Sequence, residues 1–297
     1  MARLNDHIVI CNWGDDAADL VRALHSDMFI QNNNQRDWRP IVVVAEGVKE
    51  FPDEPPFRGT MLLPGAPTKA RMLERANIMD AHAVVVMADE NASDPDDRTI
   101  MAAISINSVL KTAEAQGVGA VRRPRIIIEM INPDRAQLFK TEGLALVDEV
   151  VCHADLNIQA VAQSNISRGL THVLRELLVF SDDTDEFYMI EVPENWAGLE
   201  VAKQGFFSVV RWIGERSRER EANGDTPTTL LVGFVRLEGD RRRMIVNPKE
   251  KEYENLKRIQ VGDSLILIAR RREVALRVLD FEGVGSEEAP KAREASA

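Results

Sequence analysis

A short turn near the amino terminus has the residue types and spacing of a phosphate-binding loop. The apolar run Ile8–Cys11 predicts a strand buried on both faces. Asn12, Gly14 and Ala17 then occupy the three glycine positions of a G-x-G-x-x-G pattern, and a helical pattern follows. Asn tolerates a positive φ and Ala adds only a methyl group, so the turn can still form. The stretch predicts the first strand and helix of a dinucleotide-binding fold.

Two further residues complete the candidate nucleotide site. Glu46 ends the predicted second strand, where folds of this kind hold a ribose hydroxyl. Gly65 follows the predicted third strand and lies with Asn12 and Gly14 at the same end of the sheet. Trp13 is bulky beside the path of a pyrophosphate. We therefore expect weak nucleotide binding, and the alternative is a vestigial pocket filled by Trp13.

Acidic residues cluster between the predicted fourth strand and the helix after it. The cluster comprises Asp89, Glu90, Asp94, Asp96 and Asp97. Without other information, such a loop is typical of a solvated surface that contains a helix N-cap. A cation site is the alternative, because carboxylate oxygens are the ligands that hard cations prefer.

The other residues that could bind metal or catalyse a reaction show no suitable spacing. The histidines are expected to be structural or on the surface, and they are His7, His25, His82, His153 and His172. Cys11 and Cys152 lie in strand-like runs and are interpreted as buried thiols in a reducing compartment. We therefore expect no enzymatic activity.

Strand and helix patterns alternate through residues 1–155. Apolar runs predict strands at Ile8–Cys11, Ile41–Ala45, Thr60–Leu63, Ala83–Met87, Arg125–Met130 and Val147–Cys152. Helical patterns separate them, and one of these runs from about Arg98 to Lys111. This alternation predicts an α/β fold with a Rossmann-like, doubly wound parallel sheet.

The pattern changes in the second half of the chain. From Asn157 to Val179, apolar residues recur at intervals of three and four residues, which predicts one long crossover helix. The apolar stripe of this helix needs a packing partner. The last third predicts a smaller β-rich α+β subdomain of short strands, one of them at 206–214. A charged loop is expected at 215–228, and hairpin turns are expected at 239–240 and 261–263.

These patterns divide the chain into four predicted parts. The Rossmann-like subdomain covers 1–155, the crossover helix and its linker 156–186, and the C-terminal subdomain 187–281. Residues 282–297 are expected to be a disordered tail.

Composition excludes several classes of protein. A net charge of −11 over 297 residues argues against a general binder of nucleic acid or of an anionic membrane. No run of about 18 apolar residues occurs, and the amino terminus does not have the pattern of a secretory signal. We expect a cytoplasmic location and no nucleic-acid partner. The pattern is also compatible with one portion of a longer membrane protein.

Several motifs together resemble the RCK module, the regulator-of-conductance domain of ligand-gated potassium channels and potassium-uptake systems. In the sheet domain they are DHIVICNW, VVVMADENASDPDDRT and RIIIEMINPDRAQLF. The crossover helix contributes SNISRGLTHVLRELL, and the C-terminal part contributes GFVRLEGDRRRMIVNP and LKRIQVGDSLILIAR. The ADE…DPDDRT and IVNP features are similar to the Castor/Pollux branch of cation channels.

The resemblance implies a regulatory ring at the inner face of the cell membrane. RCK modules pair through the crossover helix, here Ile158–Leu178, and four dimers form an octameric gating ring that acts on a pore domain or pore subunit. Ligands in the family include calcium, NAD(H) and adenine nucleotides.

The resemblance also implies particular calcium ligands. In calcium-gated members an Asp begins the helix after strand four and a Glu ends strand five, and Asp96 and Glu129 match these positions. A second family Glu is Ile131 here, and the usual Asp after strand three is Ala66. Calcium binding is therefore expected to be weak.

The sequence thus predicts a ligand-sensing module that gates a potassium or other cation channel or transporter. The alternatives are an NAD(P)-dependent oxidoreductase and a nucleotide-binding protein without a membrane partner. Against the oxidoreductase, the β-rich C-terminal part contains no His, so it offers no evident catalytic set facing a nicotinamide.

Overall fold

The chain divides into two compact units, Met1–Leu170 and Thr171–Ala297. The computed structural model describes residues 4–26, 39–89, 92–118, 123–140, 146–179, 184–192, 194, 196, 205–222, 228–238, 241–248 and 259–279. The predicted hairpin turn at 239–240 and the predicted disordered tail lie outside these residues. The four predicted domain boundaries stay predictions.

The first unit contains a six-stranded parallel sheet. Its strands are β1 (Ile8–Cys11), β2 (Ile41–Ala45), β3 (Thr60–Pro64), β4 (Ala83–Val86), β5 (Arg125–Met130) and β6 (Glu149–Cys152). They pair in the order β3-β2-β1-β4-β5-β6. This is the strand order of the Rossmann fold, so the predicted fold class is confirmed.

The central strands are buried because helices cover both faces of the sheet. All residues of β1 and β2 are buried, as their continuous apolar sequences predict. The helices of this unit are α1 (Asp15–Leu24), α2 (Ala70–Arg75), α3 (Pro95–Ala115), α4 (Pro133–Ala136) and α5 (His153–Ile166). Short 3-10 helices occur at Pro55–Phe57, Ile78–Asp80 and Gln137–Lys140.

Helix α3 begins earlier than the apolar pattern predicts. Asp94 is its N-cap, and the side chain accepts a hydrogen bond from the Asp97 N–H. Pro95 occupies the first helical position, where its missing N–H costs nothing. The acidic cluster therefore contributes to the first turn of a helix and is not simply a loop.

The predicted crossover helix is two helices. α5 ends at Ile166, and α6 (Leu170–Leu178) begins after Gly169, whose φ is +86°. A positive φ is not helical, so the apolar periodicity runs through a break that the spacing alone does not reveal. The prediction of one continuous helix is wrong in this respect.

The second unit contains a four-stranded antiparallel sheet in the order β7-β10-β8-β9. The strands are β7 (Glu186–Glu191), β8 (Leu230–Glu238), β9 (Arg241–Val246) and β10 (Ser264–Ala269). Besides α6, of which all but Leu170 lies in this unit, its described helices include α7 (Phe206–Ala222) and α8 (Arg272–Leu279). The smaller α+β subdomain is thus confirmed.

Segment 206–214 is helical, so its prediction as a strand is wrong. Phe206, Val209, Ile213 and Ser217 are buried at helical spacing, whereas the prediction weighted the β-branched and aromatic residue types. The helix continues to Ala222, so the loop expected at 215–228 does not begin at residue 215. The turn before β10 is present, with Gly262 at a φ of +92°.

A buried ion pair lies in the second unit. Arg236 donates from Nε and Nη2 to the two carboxylate oxygens of Asp263 at 2.9 and 2.7 Å. Both residues are buried, and the Gln260 N–H donates to the same carboxylate at 2.8 Å. The pair joins β8 to the turn that precedes β10.

Asp263→Asn is expected to lower the free energy of unfolding by about 3 kcal/mol, because it leaves a buried guanidinium without its counter-charge. The matched control is Glu238→Gln, which breaks an exposed pair with Arg243 and should cost less than about 1 kcal/mol. Urea unfolding followed by circular dichroism measures both. Equal losses in the two variants would contradict the assignment.

Candidate functional site

The predicted nucleotide residues lie at the carboxyl ends of neighbouring strands. β1 pairs with β2 on one side and with β4 on the other, so the strand order reverses next to β1. Ligands of doubly wound folds bind in the crevice at such a point. Asn12, Gly14, Glu46 and Gly65 follow β1, β2 and β3 at this edge.

Asn12 ties the ends of three strands together. Its φ is +70°, the conformation that the first glycine position requires. Its Nδ2 donates to the Met87 carbonyl after β4 at 2.7 Å, and its backbone N–H donates to the Val44 carbonyl of β2 at 3.0 Å. The side chain is therefore structural and buried, and its backbone shapes the turn.

Gly14 leaves open space in front of α1. It is the N-cap of this helix in an extended conformation, with no side-chain hydrogen bond to the first turn. A methyl group placed on Gly14 would have no neighbouring atom within 4 Å. The start of α1 thus has open space beside Gly14, and helix amino termini are sites where anionic groups bind.

The backbone conformation at Gly65 favours glycine. Its φ is +154°, and a Cβ at this position would lie 2.7 Å from Cε of Met72. Its N–H donates to the Ala45 carbonyl at 2.9 Å, which holds the loop after β3 against the end of β2. Ala66, at the position of the family's usual Asp, is buried.

Trp13 is held beside the turn by aromatic contacts. Its ring centroid lies 4.8 Å from that of Phe51 and 6.0 Å from that of Phe57. Both phenylalanines belong to the connection between β2 and β3. The indole is therefore one fixed wall of the space next to β1.

Arg98 connects two acidic side chains across the ends of the strands. Its Nη1 lies 2.9 Å from Asp89 after β4 and 3.5 Å from Glu46 after β2. Both contacts are partly exposed to solvent. Glu46, the predicted ribose ligand, thus already contacts the Arg98 guanidinium. A ribose hydroxyl would have to displace Arg98 or bind Glu46 beside it.

Asp96 caps backbone groups at the end of β5. Its two carboxylate oxygens accept hydrogen bonds from the Ile131 and Asn132 N–H groups at 2.8 and 2.9 Å, and the residue is buried. These bonds account for the position of Asp96 without a metal ion. Its assignment as a calcium ligand stays a prediction.

Arg135 neutralises the other acidic groups at the start of α3. Its Nη1 lies 2.8 Å from both Asp94 and Asp97. The hydrogen bond from the Asp97 N–H, and then the Arg135 guanidinium, hold the pKa of Asp94 below its ordinary value. The acidic loop is therefore already compensated by a protein cation at two of its carboxylates.

Glu129 contacts a histidine. Its Oε2 accepts from the Ala88 N–H at 2.7 Å, and its Oε1 lies 2.6 Å from Nε2 of His153, the first residue of α5. Asp16, in the first turn of α1, is the third member of this group. Among the described residues, Asp16, Glu129 and His153 are the one set of three or more potential metal ligands whose ligand atoms converge.

The sequence did not indicate three of these contacts. Each joins residues that are far apart in the chain. His153 is 24 residues from Glu129, Arg98 is 52 residues from Glu46, and Arg135 is 41 residues from Asp94. Sequence spacing gives no signal for such pairs. The only indication for His153 was its place directly after a strand, at the edge where the other site residues were expected.

Comparison with known proteins identifies the class. Residues 3–138 match the family model of the calcium-activated potassium channel slowpoke-like RCK domain. The human SLO3 gating ring superposes with a TM-score of 0.61 at 20% identity, over 92% of this chain and 45% of that chain, and so shares its fold. The match of residues 3–138 to an RCK domain model agrees with the resemblance of the motifs.

Its relatives are ion channels of the Castor/Pollux branch, which confirms the predicted recognition. The ion channel DMI1 of Medicago truncatula is 28% identical and the ion channel POLLUX of Lotus japonicus 29% identical, each over 198 residues or 64% of this chain. The ion channel CASTOR of Lotus japonicus is 27% identical over the same length. The chain spans about a fifth of the length of these relatives.

Within the described part of the chain, no helix combines the length and the apolar character needed to cross a membrane.

The two roles of Asn12 can be separated by substitution. Asn12→Gly keeps the positive φ but loses the hydrogen bond to Met87, and it should lower the free energy of unfolding by about 1 kcal/mol. Asn12→Ala also strains the backbone and should cost roughly 1 kcal/mol more. Urea unfolding measures both variants. An Ala variant as stable as the Gly variant would show that the positive φ is not needed.

Proposed function

We propose that this chain is a ligand-sensing regulatory module that gates a potassium or other cation channel or transporter. It works in an oligomeric ring, at the inner face of the cell membrane, and acts on a pore domain or pore subunit. The relatives' names and the RCK fold support the proposal. Enzymatic activity is not part of the proposal.

The observation that carries the proposal is the exposure of α5. None of its residues is buried, although Ile158 and Val161 lie on one face of the helix and are 65% and 72% exposed. α6 likewise buries no residue, and Leu178 is 70% exposed. Helices that leave such apolar residues in water are typical of protein interfaces. Pairing with a second copy of the chain would cover them.

The ligand class that best suits the crevice is an adenine nucleotide or NAD(H). The open amino terminus of α1 at Gly14 would receive a phosphate group. Glu46 would receive the ribose hydroxyls after its contact with Arg98 opens. Because Trp13 crowds the phosphate path, micromolar or weaker affinity is expected.

Calcium at Asp96 and Glu129 is the second ligand in the proposal. Each Asp96 oxygen already accepts one backbone hydrogen bond, so the ion would use the remaining lone pairs. Calcium needs six to eight oxygen ligands, and water would supply most of them here.

A contact within the first unit connects the crevice to α5. Glu129 lies near the end of β5 and binds both the Ala88 N–H after β4 and His153 at the start of α5. A ligand that moves the loop after β4 would therefore change the restraint on the first turn of α5. This is a physical route from ligand binding to the pairing helix.

The nucleotide site is tested by Glu46→Ala. The variant should bind ADP about tenfold more weakly, because a carboxylate–hydroxyl hydrogen bond is worth about 1.5 kcal/mol or more. Isothermal titration calorimetry on the full chain measures the affinity. Glu50→Ala removes the same charge from an exposed neighbouring position and should bind as wild type. Equal affinity in all three proteins would remove Glu46 from the site.

Pairing through α5 is tested by Ile158→Asp combined with Val161→Asp. Both side chains are exposed in the single chain, so folding should survive while the dimer weakens at least about a hundredfold, since each buried aliphatic side chain contributes about 1.5–3 kcal/mol. Sedimentation velocity measures the oligomeric state.

The control places the same charge on another face of the helix. Gln163→Asp lies about 140° around α5 from Ile158 and should leave the dimer intact. If the double variant keeps both the sedimentation coefficient and the circular dichroism of the wild type, α5 is excluded as the interface.

A further inference from the structure

Three potential metal ligands converge from three separate elements of the first unit. Asp16 comes from the first turn of α1, Glu129 from β5, and His153 from the start of α5. One ligand atom of each lies within 4.8 Å of the others. The sequence spacing of these residues predicts none of this.

Glu129 is oriented as a metal ligand would be. The residue is only 8% exposed, and the Ala88 N–H fixes its Oε2 at 2.7 Å. Its other oxygen, Oε1, is left to face His153 at 2.6 Å. A hydrogen bond to the non-ligating oxygen is the arrangement by which outer-shell groups hold carboxylates in metal sites.

The cluster carries negative charge that no described side-chain cation balances. Asp16 has no hydrogen bond or ion pair with any residue in the described part of the chain. Arg98 is engaged with Asp89 and Glu46, and Arg135 with Asp94 and Asp97. Two carboxylates and an imidazole therefore converge here, which favours a divalent cation.

We propose that Asp16, Glu129 and His153 bind one divalent first-row transition-metal ion, of the Zn²⁺ or Co²⁺ type. The donor set decides the kind of ion, because an imidazole nitrogen suits Zn²⁺ and Co²⁺ whereas Ca²⁺ takes oxygen ligands only. Three protein ligands and water in the remaining position form a common zinc arrangement. This site shares Glu129 with the calcium pair predicted at Asp96 and Glu129, but its other two ligands come from α1 and α5. Its existence does not depend on the proposed gating function.

The geometry requires only small side-chain movements. Bonds of about 2.0–2.2 Å place the ligand atoms of a tetrahedral ion roughly 3.4 Å apart. Glu129 and His153, now 2.6 Å apart, must separate slightly. Asp16 is exposed and has no described partner to release, so its side chain is able to adjust. The bound ion would fix the start of α5 to β5 and to α1.

Zn²⁺ and Co²⁺ binding to the full-length chain tests the proposal. Calorimetry with Zn²⁺ should give one site per chain, and Co²⁺ should produce visible absorption bands of a site with nitrogen and oxygen ligands. His153→Gln and Asp16→Asn should each weaken Zn²⁺ binding by at least about tenfold, a loss seen even for outer-shell partners. Asp16 makes no described contact, so its variant should keep the wild-type thermal stability.

Two controls exclude non-specific binding. Asp15→Asn removes the neighbouring charge, and His82→Gln removes a histidine that also faces a carboxylate, that of Asp6, at 3.2 Å. Both should bind Zn²⁺ as the wild type does. The proposal is overturned if the wild type binds no Zn²⁺, if His153→Gln and Asp16→Asn bind it unchanged, or if equimolar Ca²⁺ displaces it.

Discussion

Backbone groups at the carboxyl ends of β4 and β5 need hydrogen-bond partners beyond the sheet, and three buried polar side chains provide them. Asn12 donates a hydrogen bond to the Met87 carbonyl, and Glu129 accepts one from the Ala88 N–H. Asp96 accepts hydrogen bonds from the N–H groups of Ile131 and Asn132. Buried main-chain groups without partners are costly, so these side chains fix the loops of the crevice. The positions where a ligand would bind thus depend on residues that first complete the fold.

This constraint changes how the polar residues at the strand ends are interpreted. A carboxylate in this position can be a ligand, a backbone cap or both, and the sequence does not distinguish these roles. Asp96 caps the backbone with both oxygens, whereas Glu129 uses one and directs the other towards His153. Glu129 therefore has one carboxylate oxygen without a backbone hydrogen bond, whereas Asp96 has none. A cation in the crevice would bind this Glu129 oxygen more readily than an oxygen of Asp96.

Most of the sheet could be predicted from the sequence because buried parallel strands have continuous apolar runs. Ile8–Cys11, Ile41–Ala45 and Arg125–Met130 have the predicted bounds. The helix Phe206–Ala222 could not be recognised by residue type, since its valines and aromatic residues favour strands, although its buried positions have helical spacing. The contacts of Arg98, Arg135 and His153 could not be predicted, because they join residues that only the folded chain brings together.

Ligand binding in the crevice is proposed to alter α5, the helix through which we propose that two copies of the chain pair. Hydrogen exchange of the full chain, with and without ADP, tests this directly because it reports the local stability of each segment. We expect altered protection at Asn12–Leu24, where the ligand would bind, together with altered protection along His153–Ile166. A change confined to the crevice, with exchange along α5 identical in both conditions, would contradict this expectation.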